Sequence, residues 1–367
     1  MTSIANAALA PAGWGMTAQL AANSAQVRAR MNTLIEQAST GMVGTTYAGL
    51  GAGASTSIVL RPALAHTQTW QGNVDTVSTR MQVAQTALQQ ISQIASDFRA
   101  QTNNLNGLSG TNIDSVAASA RAALQQVAGL LNTETNGTYV FAGQDSANPP
   151  VPSADAITGS GFATQIGSAI AGLSGVGSAV TMNAILGIGG SNAAGTSPFS
   201  TALSQPAASL ATARPMVQVG QGESVQTGVL ASANGDVTST GTLTTGSYMR
   251  DIMTSLAAIG GLSSAQASAP QLTDFATQIG QSLAGAVSAL NADAGVMGNR
   301  QSELQTTKAT LTSMSTALQA QVSGAEDVDM ASTLSQLTAT QAQLQASYQL
   351  ISGLQGLSLV KFLPSGG

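Results

Sequence analysis

Apolar residues toward the two ends of the chain recur in steps of three and four, and in the middle they do not. Val74, Val77, Met81, Ala84, Leu88, Ile91, Ala95 and Phe98 alternate these steps, the a/d seam of a coiled coil. At the helical rise this predicts a rod of about 40 Å. Asn106-Gly107 and Ser109-Gly110 stop it, and Thr111 or Asn112 can cap a second helix running to about Thr133. Further on, Leu283, Leu290, Met297, Leu304, Leu311 and Leu318 fall every seventh residue. Val287 and Ala294 partly fill the alternate seam, which Gln301, Lys308 and Ser315 then narrow. Thr273-Asp274 after Pro270 signals the start of this helix and Gly324 its end. These two heptad runs are the expected bundle core.

The extremities carry thinner stripes. Thr17 to Ser39 offers Leu20, Val27, Met31, Leu34 and Ile35, and the preceding Pro11, Gly13, Trp14 and Gly15 place the helix start near Thr17. The last segment opens with Glu326, Asp327 and Asp329, acids suited to a helix N-terminus. It continues with Met330, Leu334, Leu337, Leu344, Tyr348 and Ile351 at heptad spacing, interrupted by Gln341, and on to Leu357 and Phe362. Neither stripe has an evident core of its own. A helix covered only by neighbouring subunits does not offset roughly 1–2 kcal/mol of backbone entropy per residue while alone. Folding coupled to docking is therefore expected, with Leu20, Val27, Met31 and Leu34 and the stripe from Met330 to Phe362 as the assembly interface.

Between Asp145 and Ser247 the pattern changes. Pro149, Pro150 and Pro152 cluster, glycines multiply and charge nearly disappears, which reads as an inserted, β-rich α+β domain. Met216 to Val219 and Ser224 to Val229 flank Gly220-Gln221-Gly222 as a hairpin, Asn234-Gly235-Asp236 is a turn, and Ala207 to Ala213 is a short helix. The apolar stretch from Phe162 to Gly190 is broken by Gln165, Ser168, Ser174, Ser178, Thr181 and Asn183, which argues against a membrane span.

Composition narrows function mainly by exclusion. Charged residues are 7% of the 367 and the formal net charge is -5, so the footprint that phosphate binding needs is missing and nucleic acid is not an expected partner. There is no cysteine, which removes disulfides, thiolate metal sites and thiol nucleophiles, and the single His66 leaves no histidine pair for a metal. His66 and Trp70, one turn apart, read as packing residues. No Gly-x-Ser-x-Gly, P-loop or His-Glu-x-x-His occurs, and Gly49, Gly51 and Gly53 lack the spacing of a dinucleotide fingerprint. No catalytic constellation, cofactor or metal site is expected. The first positive charge is Arg28, so the opening residues lack the basic region of a secretory signal peptide.

Tyr139-Val140-Phe141-Ala142-Gly143 leaves the second helix just before the insert, and Tyr248-Met249-Arg250-Asp251-Ile252 follows it. The first is similar to the Tyr-Ile-Phe-Ala-Gly exit of the hook–filament junction branch, FlgL, of the bacterial flagellin family, and the second resembles the segment that returns that family's chain from its insert. Gly295, Gly298, Arg300 and Leu304 are similar to the family's Gly-x-Arg-x-x-x-Leu helix. Glu326 to Met330 and the tail from Leu344 through Tyr348 to Leu357-Ser358-Leu359-Val360-Lys361-Phe362-Leu363 look like the branch's ending. Ser39-Thr40-Gly41 leads here into Met42 to Tyr47, where the family usually has a basic stretch and an acidic turn.

The resemblance implies a mainly α molecule in three parts: residues 1–40 and 325–367 as inner axial helices, 41–145 and 246–324 as a helical-bundle layer, and 146–245 as the outward insert. It implies a structural, non-enzymatic axial component of the flagellum, outside the cell, exported through the flagellar type III apparatus with a chaperone. Implied partners are copies of itself, the hook-associated protein FlgK and flagellin. A subunit of the filament itself is the alternative, and an enzyme carried by the insert finds no His or nucleophile pair there.

Overall fold

The computed structural model describes residues 12–105 and 109–360, with side chains at residues 18–105 and 109–353. The chain forms two compact units, Met1–Thr67 with Ser313–Gly367 and Gln68–Thr312. Helices α1 (Ala12–Thr40), α2 (Ala54–Thr102) and α3 (Gly110–Leu131) come first, then a small hairpin of β1 (Glu134–Thr135) and β2 (Thr138–Tyr139). Helices α4 (Gly161–Ala171), α5 (Leu173–Val176), α6 (Ser178–Gly189) and α7 (Ala207–Thr212) follow, then a second antiparallel hairpin of β3 (Met216–Gly220) and β4 (Glu223–Gln226). Helices α8 (Tyr248–Gly260), α9 (Leu272–Glu326) and α10 (Met330–Val360) complete the order. The described residues are mainly α, with two small sheets among them.

The unit of Gln68–Thr312 owns the large continuous core. It joins the α2 seam from Val74 to Phe98, the α3 face Ile113, Leu124, Val127 and Leu131, and the α9 seam from Leu272 to Leu311. All thirteen residues of α8 are buried, because α3, α4 and α6 pack around it; such a helix must be apolar nearly all round. Ser247 caps its start by accepting from Arg250 N, and Arg121 Nη1 donates to Gly260 O at its end. The two charges of α8 are held by fixed partners: Arg250 by carbonyls, and Asp251 by the hydroxyl of Thr244 and the N–H and hydroxyl of Thr245.

The segment leaving α3 is locked the same way. Asn136 and Gly137 have φ of 51° and 72°, the pair of left-handed residues that a two-residue hairpin turn requires. Val140 N donates to Thr133 O, Arg80 Nη2 to Tyr139 O and Val140 O, and Ala231 N to Phe141 O. Gly143 has φ 68°, and a Cβ there would stand 2.7 Å from Leu230 Cδ2 and 2.8 Å from Ala213 O, so only glycine fits.

Several boundaries depart from the sequence expectation. Helix α1 begins at Ala12, not near Thr17: Gly13 and Gly15 cost about 1 kcal/mol each in a helix but do not end it. Ser109, not Thr111 or Asn112, is the N-cap position of α3, and Asn106-Gly107 lies outside the described residues. Helix α9 passes through Gly324, and Glu326 closes it rather than opening α10, whose N-cap is Asp329. The hairpin of β3 and β4 and the short α7 stand where the pattern put them, but the rest of the insert is more helical than expected. Buried Phe162, Ile166 and Ile170 on α4 and Met182 and Ile185 on α6 override the helix-weakening glycines around them.

Candidate assembly surface

In the unit of Met1–Thr67 with Ser313–Gly367, α1 and α10 lie antiparallel. Arg28 Nη2 meets the Tyr348 hydroxyl, Arg30 Nη2 reaches Gln336 Oε1 at 3.4 Å, and Met42 bridges Asp327. The shared seam on α1 is Leu20, Ser24, Val27, Met31 and Leu34; on α10 it is Thr333, Leu337, Thr340, Leu344, Ser347 and Ile351. Steps of three and four hold on both helices, but small hydroxyl residues alternate with the aliphatics. Thr333, Thr340 and Ser347 each turn the hydroxyl back to the carbonyl four residues earlier, at 2.8, 2.7 and 2.8 Å. That satisfies the polar group locally and leaves the rest of the side chain for the partner helix. Apolar spacing does not mark these residues, because a hydroxyl does not count as apolar.

The stripe expected for assembly therefore divides. Leu34 and Leu344 are buried, and Leu20, Val27, Met31, Leu337 and Ile351 half-buried, within the α1/α10 pair. Met330, Leu334 and Tyr348 remain 40%, 49% and 43% exposed. At 3.6 residues per turn these three form their own stripe, turned about 70° from the seam that faces α1. Ile35 on α1 is exposed as well. The Leu357 side chain and Phe362 lie outside the described residues. Of the expected bundle-core positions, Val74, Val77, Met81, Leu88, Ile91, Phe98, Leu283, Leu290, Met297, Leu304 and Leu311 are buried, whereas Leu318 is half-buried and belongs to the other unit. His66 is exposed on α2 and Trp70 half-buried.

A compact corner holds the pair in register. Val43 N donates to Glu326 O at 2.6 Å and Val328 N to Gly41 O at 3.0 Å, while Gly41, at φ 72°, ends α1. The Glu326 carboxylate accepts from Arg61 Nε (2.6 Å), Arg61 Nη2 (2.5 Å) and the Ser57 hydroxyl. The hydrogen bonds from Arg61 and then Ser57 hold its pKa below 4.5 against desolvation. Gly53 lets the start of α2 approach the end of α9: a Cβ would stand 2.5 Å from Ala325 O. Sequence spacing could not pair Arg61 with Glu326, 265 residues apart.

The larger unit has its own polar knot. Asp293, almost fully buried, accepts from Gly235 N (2.6 Å), Asp236 N (2.8 Å) and the Tyr248 hydroxyl (2.7 Å). Burial, then the Asp293 charge, push the Tyr248 pKa well up, so the phenol stays a donor. Asp236 bridges Arg214 (3.2 Å) and Arg300 (2.7 Å); burial raises its pKa, but the two guanidiniums outweigh it and the net direction is down. Among the described residues no His, Cys, Asp and Glu side chains are grouped to hold a metal ion, and no helix is long and apolar enough to cross a membrane.

A helical body with its own core, and α1 and α10 folded into one antiparallel pair with apolar positions left over, define a structural helical protein. Residues 14–146 match the bacterial flagellin N-terminal helical region, and residues 281–363 match the bacterial flagellin C-terminal helical region. No curated protein is similar enough to match the chain. The chain belongs to the bacterial flagellin family, and is a structural component of the bacterial flagellum, outside the cell.

Proposed function

We propose that this chain is the hook–filament junction protein, a FlgL-like axial subunit that self-assembles through α1 and α10. The observation that carries assembly is the exposed stripe of Met330 and Leu334, continued by the part of the Tyr348 ring that Arg28 of α1 does not cover, apolar surface that the α1/α10 pair leaves open. A second copy of the pair is its natural cover, since a contact repeated head to tail around a screw axis builds a tube. What supports the junction position is the Tyr139 to Gly143 exit, fixed by Arg80, Thr133 and Ala231, together with the Ser358 to Leu363 ending. In this reading residues 1–40 with 325–367 form the inner layer, and FlgK on one side and flagellin on the other are the neighbours. Export runs through the flagellar type III apparatus with a chaperone.

Immunogold labelling and copy counting on isolated flagella test the position. A short labelled band between hook and filament is expected. Labelling along the whole shaft replaces this reading with that of a filament subunit.

A further inference from the structure

We propose that the cavity between α7 and the start of α8 is a binding site for a small sugar acid, a polyhydroxylated molecule with one carboxylate. The cavity measures about 420 Å³, the size range of small-molecule sites. It lies wholly in the unit of Gln68–Thr312, so the inference is independent of how α1 and α10 assemble.

Charge is the first reason. Arg214 and Arg250 both line the cavity, each more than nine-tenths buried, and no Asp or Glu side chain lines it. The chain has nine arginines in all, so two converging on one cavity is a concentration of scarce charge. Arg214 shares its carboxylate, Asp236, with Arg300. Arg250 has no carboxylate in ion-pair range: it donates to Ser232 O, Gly189 O, Ser191 O and Asn192 Oδ1. Its sequence neighbour Asp251 is turned to Thr244 and Thr245. These four acceptors leave one of the five guanidinium N–H groups, on Nη2, and the Asn192 amide N–H₂ for an incoming carboxylate. Its four acceptors and the Phe199 ring, 5.1 Å from its Cζ, fix the guanidinium in place, and the remaining N–H is the group an anion meets.

The walls supply the second reason. Leu210 and Ala211 give an apolar patch for one face of a ring, while Gln205, Gln226 and Thr238 place amides and a hydroxyl around it. Uncharged donors and acceptors around a cationic floor match a molecule that is mostly hydroxyl with one negative end. A simple carboxylate such as acetate uses the floor alone and leaves these walls unused.

Calorimetric titration of the full chain with D-glucuronate, D-glucose and acetate tests the site. Saturable glucuronate binding is expected, with glucose and acetate each weaker by about tenfold or more. Two substitutions at exposed lining positions keep the core intact, checked by an unchanged melting temperature. Ala207→Trp blocks the cavity and abolishes binding; Thr238→Val removes a wall hydroxyl and weakens it about threefold or more. Equal affinity for glucose overturns the anionic floor, and equal affinity for acetate overturns the role of the walls. No saturation below about 20 mM, or binding unchanged by Ala207→Trp, overturns the site itself.

Discussion

Replacing Met330 and Leu334 together by glutamine isolates the assembly stripe from the fold of the subunit. Both face outward from the α1/α10 pair, 40% and 49% exposed, so little native packing is lost when they change. Burying a whole Met or Leu side chain contributes about 1.5–3 kcal/mol, and the fraction still exposed here gives a combined gain of about 1.5–2.5 kcal/mol on assembly. Since about 1.4 kcal/mol is a factor of ten, the critical concentration for polymerisation should rise between about 10- and 60-fold. Sedimentation of polymer across a concentration series measures this, with far-UV circular dichroism of the monomer as control. Glutamine keeps helix propensity, so the monomer spectrum should not move. An unchanged critical concentration refutes the claim that a neighbouring copy covers this stripe.

Three further outcomes follow from the same contacts. Asp293→Ala leaves the Tyr248 hydroxyl and two backbone N–H groups without their acceptor, and should destabilise the larger unit by about 3–5 kcal/mol in urea unfolding; a loss under about 1 kcal/mol contradicts the knot as described. A Cβ at Gly189 overlaps the Thr254 hydroxyl, so Gly189→Ala should cost about 1–3 kcal/mol. Adding Thr254→Ala, which also removes a buried hydroxyl that makes no hydrogen bond, should restore most of the melting temperature. At the corner, Glu326 has a lowered pKa in the folded state, so its stabilisation is complete above 4.5 and is lost as pH falls through the lowered value. Amide protection at Val43 and Val328, the observed exchange rate relative to the intrinsic rate at the same pH, should fall in that acid window, and in Glu326→Gln should already be low at neutral pH; identical neutral protection in the variant rules the ion pair out as the latch.

How much of this could be read from residues alone depended on what each seam is made of. The α2 seam is apolar at every a/d position from Val74 to Phe98, and α9 keeps an unbroken Leu/Met row every seventh residue from Leu283 to Leu311 although Gln301 and Lys308 interrupt the alternate row, so both seams are legible as core in the sequence. The α1/α10 seam alternates Leu and Ile with Thr and Ser, and apolar spacing mixes Leu337, Leu344 and Ile351, which face α1, with Met330, Leu334 and Tyr348, which are turned away from it. Helices α4 and α6 were hidden by glycine, whose low helix propensity is overridden by burial of Phe162, Ile166 and Ile185. The Arg61–Glu326 and Tyr248–Asp293 pairs join residues far apart in the chain, and no local pattern announces them.

The hydroxyl-rich seam between α1 and α10 also sets how these helices come apart. When α10 melts, Thr333, Thr340 and Ser347 exchange a backbone carbonyl for water at little cost, and the greasy surface uncovered per turn is small. Such a segment can be unwound and rewound without clumping, a property that suits a strand threaded through a narrow conduit before it zips shut at its destination.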